Sequence, residues 1–74
     1  MDREMLQRHL AQADAHIDTG YRNIARQRDV IAQLERDGHD TALARDTLMQ
    51  FEQSQALHIA DRERILRELQ GQLP

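Results

Sequence analysis

Seventy-four residues make one small domain, and at that size a single core is marginal unless disulfides, metal or self-association support it. There is no cysteine, so bridges and thiolate metal sites are excluded, and ten arginines against thirteen Asp and Glu leave a net charge of −3. That acidic balance argues against an obligate binder of nucleic acid or of an anionic membrane, and one Tyr, one Phe and no Trp give little aromatic material for a ligand pocket.

Three Gly and one Pro leave long stretches free to be helical. No apolar run exceeds three residues, as at Val30-Ile31-Ala32, and the start Met1-Asp2-Arg3-Glu4 is charged. The expectation is therefore no signal peptide, no membrane span and a cytoplasmic protein.

The first predicted element is a helix over about 3–36. Asp2 is placed to cap it, and Met1 to staple onto Leu6 across the first turn. Apolar or small positions then step by four and three: Leu6, Leu10, Ala13, Ile17, Gly20, Ile24, Gln27, Ile31, Leu34. This is a heptad seam, with large side chains (Leu10, Ile17, Ile24, Ile31) in one row and mostly smaller or polar ones in the other. Gly20 is the deepest gap, and a neighbour such as Tyr21 or Phe51 is expected to fill it. Gln27 is expected to set the register as a seam polar residue.

Asp37-Gly38-His39-Asp40 forms the predicted turn, 37–40. Gly38 can adopt the left-handed conformation that closes a helix, Asp40 or Thr41 can cap the next one, and His39 can cap helix carbonyls or face water. The second helix is predicted over about 41–70, with Thr41, Ala44, Leu48 and Phe51 on the seam. Ile59, Arg62, Leu66, Leu69 and Leu73 continue it after an eleven-residue step from Leu48 that reads as a stutter. Gly71 and Pro74 are expected to fray the end.

Folding the arms back antiparallel pairs positions that sum to about 75: Leu34 with Thr41, Ile31 with Ala44, Gln27 with Leu48, Ile24 with Phe51, Gly20 with Gln55. Ile24 with Phe51 is the heaviest of these layers, and Arg62 is expected to snorkel out of the seam rather than pair with Asp14 or Asp18. The fold class is thus all-α, an antiparallel two-helix coiled-coil hairpin. An isolated helix pair buries each seam residue on one side only, and Met49, Ala56, Leu57 and Ala60 lie off the seam on helix 2. Dimerisation into a four-helix bundle follows as the expectation, with those four residues as a candidate protein interface.

Chemistry has little to stand on. His9, His16 and His58 are the residues the fold-back would bring toward a shared metal, yet neither a His-x-x-x-His nor a Glu-x-x-His pair exists, so no metal or cofactor is expected. No cysteine, glycine-rich phosphate loop or nucleophile elbow is present and Ser54 is the one serine, so no enzyme is expected. Arg22, Arg26 and Arg28 form the densest basic run and are the candidate nucleic-acid contact. Asp18 and Asp29 sit at ion-pair spacing from Arg22 and Arg26, as Glu63 does from Arg67 and Arg64 from Glu68, which reads as a solvated helix face.

The corner at 37–41, Phe51-Glu52 and the stretch Ala56-Leu57-His58-Ile59-Ala60-Asp61-Arg62 resemble a group of small proteobacterial helical-hairpin proteins. That likeness implies a bacterial cytoplasmic origin and carries no activity with it. In architecture alone the chain is similar to the Rop family of plasmid regulators, in which two helical hairpins grip paired RNA loops. It departs from that family in length, in having no Lys and in lacking a basic face with a central aromatic. The functional expectation is a small non-enzymatic adaptor, scaffold or regulator that binds itself and a further protein through helical-bundle surfaces. The alternative is a Rop-like nucleic-acid-binding regulator.

Overall fold

The structure, a computed structural model, describes residues 2–72. Within them the chain forms α1 (Arg3–Arg36) and α2 (Ala42–Gly71), packed against each other along a rod 59 Å long and 14 Å across. The expected staple from Met1, the seam position Leu73 and the fraying at Pro74 lie outside the described residues. Gly71 is the last helical residue.

The helix ends are capped as backbone chemistry requires. Asp2 takes an extended conformation and its carboxylate accepts the Met5 N–H at 2.7 Å, satisfying one of the free donors of the first turn. At the other end of α1 the His39 N–H donates to the Leu34 carbonyl at 2.9 Å and the Gly38 N–H to the Glu35 carbonyl at 3.1 Å. That pair of bonds is a Schellman closure, and it requires the left-handed φ of +72° that Gly38 supplies without a Cβ penalty. His39 therefore caps through its backbone while the residue stays exposed. Asp40 accepts the Ala42 N–H at 3.1 Å and starts α2. Thr41, with φ −108° and ψ 4°, is not extended enough for its hydroxyl to cap, and that oxygen instead accepts from Arg45 Nε at 3.0 Å.

The helices fold back antiparallel in the expected register, but the seam of α2 differs from its apolar pattern. Ile65 is 1% exposed whereas Leu66 is only half-buried. The seam therefore runs Ala44, Leu48, Phe51, Gln55, His58, Arg62, Ile65, Leu69, in unbroken steps of four and three, and the expected stutter is absent. Ile59 and Leu66 each stand one residue, about 100° of helix rotation, to the side. Straight heptad geometry thus places polar Gln55, His58 and Arg62 at the interface where apolar residues lie just off it.

Packing is tightest far from the turn. Leu6, Ala13 and Ile65 form the buried cluster, with Leu10 and Leu69 against it, while Phe51 beside the buried Ile24 is only half-buried. The middle of the rod is held by amides. Gln27 Nε2 donates to the Ala44 carbonyl at 2.9 Å, and Gln55 Nε2 to the Ile17 carbonyl at 2.8 Å. The Gly20 gap is filled by Gln55 rather than by Tyr21 or Phe51: a Cβ on Gly20 would stand 1.8 Å from Gln55 Oε1. Tyr21 cannot serve because it is one residue around the helix and 57% exposed. Arg62 likewise does not simply snorkel; its Nε donates to Asp14 Oδ1 at 2.5 Å across the seam.

Candidate functional site

A two-helix rod has no interior in which to build a site, so any function rests on its surfaces. Heptad spacing defines two flanks. One follows the seam by one residue and carries Asp14, Tyr21, Arg28 and Glu35 on α1 with Arg45, Glu52, Ile59 and Leu66 on α2. The other precedes the seam by one residue and carries His9, His16, Asn23 and Val30 with Thr47, Ser54, Asp61 and Glu68. We refer to them as the tyrosine flank and the histidine flank.

Each flank holds a shallow groove of about 260 Å³ at mid-rod, and the two grooves share only Gln55. The groove on the histidine flank is lined by His16, Thr19, Gly20, Asn23, Phe51, Ser54, Gln55 and His58. The fold-back does bring His58 to His16, with ring centroids 5.1 Å apart and planes 10° from parallel. A metal ion lies in the plane of each imidazole that binds it, so two rings stacked in this way do not present their lone pairs to one ion. Among the described residues no group of three His, Asp or Glu side chains is placed to hold a metal. Ser54 shares the groove, yet no hydrogen bond joins its hydroxyl to either imidazole, the contact that would activate it as a nucleophile.

Gln55 lies beneath both grooves. It is 4% exposed, its amide nitrogen is bonded to α1, and its Oε1 is buried without a hydrogen-bond partner. That oxygen faces the Cα–H side of Gly20, which offers at most a weak C–H···O contact.

The tyrosine flank is lined at mid-rod by Tyr21, Ile24, Arg28, Glu52, Gln55, Ala56 and Ile59. The candidate interface residues Met49, Ala56, Leu57 and Ala60 are all exposed, Met49 by 57% and Leu57 by 72%. Helix geometry sets the four within about 100° of one another on the outer side of α2, Met49 and Ala56 at the edge toward the tyrosine flank, Leu57 at the edge toward the histidine flank and Ala60 between them. Tyr21, expected in the Gly20 gap, and Leu43, which carries no expectation, are surface apolar residues, 57% and 83% exposed. The signal was available, since both fall outside the four-three pattern.

Of the basic run, Arg22 is in an ion pair with Asp18 and shares the outer side of α1 with Arg26. Arg28 lies on the tyrosine flank, so the three arginines do not make one stripe. Arg26 forms no ion pair with Asp29, nor Arg67 with Glu63. Arg64 bridges Asp61 at 2.6 Å and Glu68 at 2.9 Å, and those hydrogen bonds, Asp61 first, hold its guanidinium pKa above the ordinary value. Exposed pairs of this kind contribute little to stability, because water screens them.

No helix among the described residues is long and apolar enough to cross a membrane. The fold defines the class as an all-α antiparallel coiled-coil hairpin. No protein-family model, no curated protein and no solved structure matches the chain.

Proposed function

We propose that the hairpin is a non-enzymatic interaction protein of the cytoplasm, an adaptor, scaffold or regulator, and that it self-associates as a homodimer in a four-helix bundle. The observation that carries this reading is the exposure of Tyr21, Leu43, Met49 and Leu57, 57% or more each, on a rod only 14 Å across. Large apolar side chains left in water by a single layer of two helices are the material of a helix–helix contact with a further chain. Their chemistry favours protein over nucleic acid, because Arg22 is already matched by Asp18 and the remaining arginines of the run face different sides.

Sedimentation equilibrium across micromolar concentrations tests the self-association. The expected mass is twice the 8.6 kDa of one chain, and a fully helical protein that keeps the single-chain mass throughout would refute it. Filter binding against mixed RNA and duplex DNA at low salt tests the rest. Salt-sensitive retention that disappears when Arg22, Arg26 and Arg28 are changed to Ala would replace this reading with nucleic-acid binding.

A further inference from the structure

We infer that the tyrosine flank, centred on Tyr21, Ala56 and Ile59, is the surface on which a second copy of this chain docks, and that the histidine flank stays in water. This rests on the self-association proposed above and adds the face that carries it.

The two flanks differ in chemistry at the same level of the rod. On one, exposed Tyr21 and half-buried Ile59 and Leu66 stand beside half-buried Ile17 and buried Ile24. On the other, the equivalent flank positions are His16, Asn23, Ser54 and Asp61, beside Gly20, His58 and half-buried Phe51, the one large apolar side chain lining that groove. Covering the first removes apolar surface from water, while covering the second desolvates hydroxyl, amide and imidazole groups that have no partners to receive them.

Charge points the same way. A two-fold contact sets a surface against itself, so whatever charge the surface carries must be of both signs. The tyrosine flank does: Arg28 and Glu52 border its groove, and neither has an ion-pair partner among the described residues. The histidine flank offers Asp61 and Glu68, acids with no arginine in their row, and both are already held by Arg64 of their own helix.

Size fixes the extent of the contact. One long face of the rod measures 59 by 14 Å. That is on the order of 800 Å², the share each partner contributes to a standard-size interface. The two hairpins must therefore overlap along nearly their whole length, side by side rather than end to end, and mid-rod Tyr21 and Ala56 fall near the centre of the contact, where a charge is least tolerated.

Sedimentation equilibrium on the wild type and five variants, with helicity checked by circular dichroism, tests the assignment. Tyr21→Glu and Ala56→Glu replace exposed residues, so the hairpin has room for both. Each weakens the dimer at least tenfold with helicity kept. Val30→Glu and Ser54→Glu on the histidine flank, and Leu57→Glu near the back of α2, leave it unchanged. If Tyr21→Glu loses helicity, Ala56→Glu alone decides. A dimer untouched by Tyr21→Glu and Ala56→Glu but dissociated by Ser54→Glu, Val30→Glu or Leu57→Glu overturns the face while leaving self-association intact. A wild type that is monomeric at every concentration removes both.

Discussion

Gln55→Met is expected to stabilise the protein. Gln55 is 4% exposed, and its Oε1 is buried with no hydrogen-bond partner, which costs about 1–3 kcal/mol of uncompensated desolvation. Against that stands the bond from its Nε2 to the Ile17 carbonyl at 2.8 Å, a contribution of about 0.5–1.5 kcal/mol. The Ile17 carbonyl lies inside α1 and keeps its intrahelical donor when the amide is removed, so no second orphan is created. Methionine matches glutamine in length, is flexible enough to occupy the Gly20 gap and brings no polar atom. The balance is a gain of about 1 kcal/mol, equivalent to roughly 4–8 °C in Tm for a domain of this size. Thermal and urea unfolding at one fixed protein concentration read it, since self-association makes Tm concentration-dependent. A loss of stability would show that the Oε1 penalty is overstated and that the amide bond to α1 governs the middle of the rod.

Three further outcomes follow from the same packing. Gly20→Ala should be neutral or destabilising in the wild type, because its Cβ would meet Gln55 Oε1 at 1.8 Å, yet in a Gln55→Ala background it should recover the helix-propensity gain of about 1 kcal/mol; additivity in the four-member cycle would contradict the contact. Ile65→Ala, at a position 1% exposed in the Leu6 cluster, should cost about 2–5 kcal/mol, whereas Leu66→Ala should cost clearly less; equal losses by chemical denaturation would mean that the seam follows the apolar pattern after all. Gly38→Ala must hold a φ of +72° and should cost about 1–2 kcal/mol, read as a lowered urea midpoint with unchanged m-value.

Much of the fold is legible in the sequence. The four-three steps from Leu6 to Leu34, the Asp2 cap and the Asp37-Gly38-His39-Asp40 corner are local signals, and helix periodicity, capping and left-handed closure are local physics. The register of the fold-back could also be set from the turn alone, as Gly20 against Gln55 and His16 against His58 show. Residue chemistry and helix geometry diverge at four positions. Ile59 and Leu66 look like seam residues because they are apolar, and Tyr21 and Phe51 look like gap fillers because they are large.

The surfaces were less accessible to sequence. Met49, Ala56, Leu57 and Ala60 could be recognised as off the seam, but which of them borders which flank needs the rotation of α2 to be known. The separation of Arg28 from Arg22 and Arg26 is, by contrast, legible in the spacing, since two residues turn a helix by about 200°.

The sequence by itself determined two helices, where they stop, and which level of one faces which level of the other, because those depend on spacing and backbone caps. Only the tertiary structure decided which α2 row closes the interface. That choice is made jointly by both helices: α1 offers an unbroken heptad groove, and α2 must present a matching row even where it brings in Gln55, His58 and Arg62 and leaves Ile59 and Leu66 at the flank.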